Sequence, residues 1–375
     1  MLTTDTGNIE SLRRQQQLAF AASGQEVEAG DAHALPLPLD ELAALHRNHP
    51  AVREVHEGGL TAIVYKLHAQ GRDWAVKRAR PQCLVKNVDG QTSFLNEVQR
   101  RAELARLQAQ SGGTQRWRGL TPTVYASLQH GVIVSPWIDG RPVRAWSERA
   151  LRQLFSAGRE LVRAGFFEWD FCPGNVLDDG DQVWLFDFGY MYRFDPLRHF
   201  NSAGTGTSVP QCHLAERIET RHVFGWLLQV EETDGLAAAL LAFRLEKSIA
   251  LDTYLQLHAE LQADGADATV LGWLGGLIER WRAALGGDLR GLYLQEGWRS
   301  HTLDLEDDLH GQTCTPGTLR RAAWLLRTLR EASARLEAAP ALSADDAGLS
   351  TGDLIGRYEA KQRLAATLQL TPAAA

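Results

Sequence analysis

EWDFCPGNVLDDGDQVWLFDFG, residues 168–189, decides how the chain is read. It places Asp170, then Asn175 five residues later, then Asp187-Phe188-Gly189 after a polar interruption. Val176-Leu177 and Val183-Trp184-Leu185-Phe186 are apolar and β-prone, and Asp178-Asp179-Gly180-Asp181 is a turn cluster of the kind that closes a hairpin. Folding the segment about Gly180 and Asp181 predicts Asn175 and Asp187 nearly opposite each other at the open end. Two oxygen donors facing one point suit a hard divalent cation such as Mg²⁺. Asp170, just ahead of the hairpin, is then within reach of an incoming hydroxyl.

This order of residues resembles the catalytic and metal-binding segments of the protein-kinase-like superfamily. The sub-pattern Asp-Phe-Cys-Pro-Gly-Asn is most similar to the aminoglycoside and choline phosphotransferase branch and to bacterial lipopolysaccharide kinases. Cys172 stands where eukaryotic protein kinases have Lys, and Glu168-Trp169 replaces the His-Arg or His-Gly that supports the loop in the family. The resemblance implies an α+β, bilobal fold with a small antiparallel β-sheet lobe, one key helix, and a larger, mostly helical lobe. It also implies ATP and Mg²⁺ as cofactors, with Asn175 and Asp187 as metal ligands and Asp170 facing the acceptor.

Upstream, Val52–Glu57, Thr61–Leu67 and Trp74–Lys77 alternate with period two and read as strands. Trp74 and Val76 share one face of the third strand, and Ala75 and Lys77 the other. In the resembled family such a strand packs a small residue (here Ala75) over adenine and sends its Lys (Lys77) to the phosphates. Glu97, twenty residues on in the helical stretch Ser93–Leu107, is the expected partner of Lys77. Gly58-Gly59 sits where the family has its phosphate loop, as a partial match to G-x-G-x-x-G. Val124–Leu128 and Gly131–Ile138 read as two more strands. The second leads into a hinge-like segment, where Ser135 and Trp137 are expected beside the nucleotide.

Taken singly, Asp187 is an ordinary turn residue, Lys77 a strand lysine and Glu97 a solvated helix residue. Their joint order carries the reading.

The 375 residues suffice for two lobes, and 44% hydrophobic with 23% charged residues is a globular composition. A net charge of −7 argues against nucleic acid as the main partner. Four scattered cysteines without a C-x-x-C pair point away from zinc and disulfides and towards a cytoplasmic compartment. The N-terminus lacks the pattern of a signal peptide, and the longest apolar run, Gly235–Phe243, is too short to span a membrane. Peripheral membrane contact stays open.

The expected domains are an N-terminal extension (1–50, with helices at Asn8–Ala22 and Leu39–Arg47), an N-lobe (51–138), a C-lobe (139–337) and a tail (338–375) with a helix at Thr351–Leu368. The amphipathic stretch Ser147–Gly165 is a helix leading into the central segment. Beyond it Arg221–Glu231, Leu236–Lys247, Leu251–Leu261, Thr269–Leu285 and Leu319–Leu336 have helical periodicity. The segment Ala203–Ser208 is expected to shape an acceptor site, and no Ala-Pro-Glu motif follows it. These features favour transfer to a small molecule or glycolipid. Transfer to a protein, a non-catalytic nucleotide-binding module and AMP transfer are the alternatives.

Overall fold

The computed structural model describes residues 6–110, 116–205, 212–337, 342 and 345–370. The polar break at 111–114, residues 206–208 (half of the 203–208 segment), Pro210, 338–341 at the start of the tail and the terminal TPAAA fall outside the described residues. Two compact units are formed, Asn8–Pro142 with Gly174–Tyr192, and Val143–Pro173 with Arg193–Thr371. Elements are numbered in chain order across both.

The first unit is built on a six-stranded antiparallel sheet, in the order β1 (Glu28–Gly30), β5 (Tyr125–Ser127), β6 (Val132–Pro136), β4 (Arg72–Ala79), β3 (Ala62–Ala69), β2 (Val52–His56). The β3–β4 hairpin closes through Gln70 and Gly71, both at positive φ (52° and 75°), the two-residue turn whose twist matches that of its strands. Alternation along β4 buries Trp74 and Val76 in a core with Tyr65, Leu67, Tyr125 and Val134. The opposite face carries Ala126 and Ile133, which pack with Val98 and Ala102 of α4 (Ser93–Gln110).

Residues 1–50, expected as an appendage, belong to this unit from Asn8 onward. Leu35, Leu42 and Leu45 close the Trp74 face of the sheet, Leu42 on α2 (Leu39–Ala43) being fully buried. β1 adds an edge strand to β5. From α1 (Thr6–Ser23), Arg13 and Arg14 pair with Asp89 of α3 (Val88–Gln91) at 2.8 and 2.9 Å. A sheet buried on one side only by α4 would leave its second apolar face wet, so this segment completes the core.

The central segment folds as a hairpin of β9 (Val176–Asp178) and β10 (Val183–Leu185), with β7 (Arg141–Pro142) beside β9, and β11 follows at Met191–Arg193. Asp179 holds the turn, its carboxylate accepting from the Asp181 and Gln182 N–H groups and from Trp184 Nε1. Gly174–Tyr192 clusters with the sheet, and Val143–Pro173 with the helices.

The second unit is mostly helical. It contains α5 (Glu148–Arg163), β8 (Phe166–Glu168), α6 (Leu214–Ile218), α7 (Phe224–Asp234), α8 (Leu236–Ala263), α9 (Ala268–Gly286), α10 (Leu289–Gly311), α11 (Pro316–Glu337) and α12 (Thr351–Thr367). The two helices expected between 236 and 261 are one, because Ser248-Ile249-Ala250 contains no helix breaker. α10 has no counterpart in the periodicity analysis. It buries Glu296, Ser300, His301, Thr302 and Asp304 along with its apolar residues, and this erases the apolar stripe. No helix among the described residues is long and apolar enough to cross a membrane.

Leu42→Ala should lower stability by about 2–5 kcal/mol in urea denaturation followed by tryptophan fluorescence, the cost of a cavity in a packed core. A change near zero would return the N-terminal segment to the status of an appendage.

Candidate functional site

Lys77 points from the α4 side of the sheet into a pair of carboxylates. Its Nζ lies 2.6 Å from Glu97 Oε2 and 2.8 Å from Asp187 Oδ2. β4 supplies the lysine, α4 the glutamate and the loop after β10 the aspartate, all within one compact unit. Glu97 is in turn held by Arg101, one helical turn on, at 2.9 Å. Burial pushes the Lys77 ammonium down, but the Asp187 and Glu97 charges outweigh it and the pKa is raised. Burial pushes the Glu97 carboxyl up, and Lys77 and Arg101 reverse this and bring it down to about 2. The group therefore stays fully ionic at neutral pH.

The Asp187-Phe188-Gly189 loop is fixed from α4 as well. Asn96 Nδ2 donates to the carbonyls of Gly189 (3.0 Å) and Met191 (2.7 Å), and the Arg101 guanidinium lies 5.0 Å from the centre of the buried Phe188 ring. Gln17 of α1 donates to Asn96 Oδ1, which ties the N-terminal helix to the same support. Asp187 adopts φ 65°, a left-handed conformation that costs a non-glycine residue about 1–2 kcal/mol and that surrounding contacts must impose. Neither Asn96 nor Gln17 carried a sequence signal. Arg101 did, four residues after Glu97 on the same helix face.

Asn175 is buried where β9 begins, and its carbonyl accepts from Phe186 N–H at 3.2 Å. The β9–β10 register, Val176 against Leu185, extends the hairpin to Asn175 and Phe186, next to Asp187. Among the described residues no three His, Cys, Asp or Glu side chains converge as a metal cage. One carboxylate and one amide oxygen are hard donors of the type magnesium takes together with phosphate oxygens and water.

Ala75, Lys77 and Ser135 share a face of the sheet, with Ala75 directly opposite Ser135 across the β4–β6 ladder. Trp137, just past β6, stacks on His56 (5.8 Å between centroids) and lies under Lys66 Nζ (4.8 Å). Gly58 and Gly59 form the β2–β3 loop, which Arg80 grips through the carbonyls of Glu57 and Gly59. A Cβ on Gly59 would come within 2.6 Å of the Ala62 carbonyl oxygen, so a side chain there would force the loop to move.

Asp170 belongs to the other unit. Its Oδ1 accepts from Arg221 Nε at 3.0 Å, and Arg221 Nη1 contacts Asp304 at 2.5 Å. Arg221 sits in a single π-helical turn, Glu219–Val223, of the kind that often marks functional positions. Glu168 and Trp169, the departures from the resembled pattern, anchor this loop. The Glu168 carboxylate accepts the Asp170 N–H (2.8 Å), and Trp169 Nε1 donates to Ser202 Oγ (2.8 Å). Sequence reasoning could not find Arg221, 51 residues from its partner.

No protein-family model matches the chain, and no curated protein matches it. Among solved structures, one similar chain is described as the structure of vaccinia related kinase 3. It is 12% identical, with a TM-score of 0.30, and the match covers 46% of this chain and about 60% of that one. A likeness at this level carries no weight for function, which rests on the residues themselves.

The Glu97 carboxyl is depressed below its usual 4.5, so its contribution to stability is present above pH 4.5 and is lost as the pH falls towards about 2. Urea denaturation across this window should show a steeper loss in the wild type than in Glu97→Gln. Equal slopes would remove Glu97 from the ionic cluster.

Proposed function

We propose that the chain is a kinase-like phosphotransferase, dependent on ATP and Mg²⁺, that moves the γ-phosphate to a hydroxyl of a small molecule or glycolipid. The observation that carries the reading is the contact of one strand lysine with both a helix glutamate and the aspartate of an Asp-Phe-Gly loop. A lysine held ionic and oriented in this way is prepared to meet the charge of nucleotide phosphates. Ala75 and Ser135 offer small side chains against which a base can lie, with Trp137 at the margin. Gly58 and Gly59 let backbone N–H groups approach phosphate oxygens.

Asn175 and Asp187 would hold magnesium, which when bound neutralises charge on the transferring phosphate. Asp170 accepts the hydrogen bond of the acceptor hydroxyl and takes its proton as the new bond forms. Arg221 fixes the direction of that carboxylate. The Asp170–Arg221 ion pair also favours a second reading, a nucleotide-binding module in which this carboxylate is structural. Transfer to a protein hydroxyl is a third, and is read by labelling in a lysate.

Magnesium-dependent ATP turnover should fall roughly a hundredfold or more in Asp187→Ala. Asp170→Asn should bind nucleotide within about twofold of wild type while transfer falls by roughly 10²–10⁴. Wild-type turnover in Asp187→Ala would refute the metal assignment, undiminished transfer in Asp170→Asn would remove Asp170 from the transfer step, and nucleotide binding by the wild type without transfer would support the binding-module reading.

A further inference from the structure

A cavity of about 590 Å³ opens within the helical unit beside the Asp170 loop. Cys172 and Pro173 form part of its wall, as does Arg221, the partner of Asp170. Its size is that of a small-molecule site. Its charge is unusual for a chain that is acidic overall, since four arginines (Arg144, Arg221, Arg320, Arg321) face two aspartates (Asp304, Asp308).

Asp304 is already shared between two of these guanidinium groups, at 2.5 Å from Arg221 and 2.8 Å from Arg321. Asp308 accepts a hydrogen bond from the Thr318 hydroxyl. Arg144 is exposed and has no ion-pair partner among the described residues. Arg320 pairs at 2.5 Å with Glu232, which does not line the cavity, in a solvent-exposed ion pair of the weak kind. With Asp170 on Arg221, Asp304 between Arg221 and Arg321, and Glu232 on Arg320, Arg144 is the lining guanidinium that has no carboxylate partner among the described residues, and Arg320 is held only from outside the cavity. The planar guanidinium fork matches an oxyanion in two-point contact.

We propose that this cavity is the acceptor site and that it takes a hydroxyl compound bearing an oxyanion, a phosphate or a carboxylate. Its assignment to the acceptor rests on the phosphotransfer reading. The oxyanion lies against Arg144 and Arg320, and the hydroxyl is turned towards Asp170 past Arg221 and Cys172. A compound that lacks the anionic group loses these contacts and leaves Arg144 without a counter-charge, so neutral analogues are discriminated against.

The test is calorimetric titration of the full chain with inorganic phosphate and, separately, acetate, in low salt and without nucleotide. The variants are the double substitution Arg144→Gln/Arg320→Gln, the charge-retaining Arg144→Lys/Arg320→Lys, and Lys77→Ala. Both arginines are exposed, so the fold tolerates their replacement. Phosphate should bind the wild type and Lys77→Ala alike, weaken roughly tenfold or more in the glutamine variant, and weaken less in the lysine variant. A stronger phosphate than acetate response identifies a phosphorylated acceptor, and the reverse a carboxylate. Equal affinity in wild type and glutamine variant, loss in Lys77→Ala, or no binding of either anion overturns the proposal. Magnesium-dependent ATP turnover in the presence of a metabolite extract is measured separately. Its absence in the wild type overturns the phosphotransfer reading without altering the titration.

Discussion

The ionic group of Lys77, Glu97 and Asp187 is the constraint from which the sheet-containing unit takes its local order. A buried ammonium is costly unless the attraction of its partners exceeds the water it gives up. Here two carboxylates meet one lysine, and Arg101 supplies the second positive charge that Glu97 needs. The requirement links three elements far apart in sequence, β4, α4 and the loop after β10. α4 must lie across the sheet for Glu97 to reach, and the same helix then presents Asn96 to the loop carbonyls. The left-handed Asp187 is held by this fixed environment, which offsets its backbone cost.

The helical unit follows a different logic, with charges placed in its centre. Lys247 is fully buried and lies 2.5 Å from both Glu219 and Glu296, while Arg299 lies 2.5 Å from Glu219. Burial pushes the nearby Glu246 carboxyl up to about 7, partly offset by Lys247. Such clusters contribute little net stability compared with apolar packing of the same volume. They do penalise any rearrangement that leaves one charge without its partner. Glu219 opens the π-helical turn that carries Arg221, so the cluster and the Asp170 ion pair share a backbone segment.

Legibility in the sequence followed the range of the interactions. The hairpin at 176–185, the strands and the two faces of β4 were readable because alternation and turn chemistry act over a few residues. Glu97 was readable as a partner of Lys77 through the resemblance, and the two side chains lie 2.6 Å apart. α10 was not, since its buried face mixes polar with apolar residues and its polar members find their partners on other helices. The packing of Leu35, Leu42 and Leu45 under the sheet was hidden for a similar reason: their segment is short, rich in proline and alanine, and apolar only in relation to the surface it covers.

The amino-acid sequence by itself determined the local geometry: which residues alternate, where the chain turns, and the order in which a lysine, a glutamate, an asparagine and two aspartates appear. Periodicity and turn preference are properties of neighbouring residues, and neighbours are what a sequence records. Only the tertiary structure decided that the N-terminal segment closes a core, that Asn96 and Gln17 brace the Asp187 loop, and that Arg221 holds Asp170 beside an arginine-lined cavity. These are contacts between residues far apart in the chain, selected by burial and charge balance, which take effect only once the chain is packed.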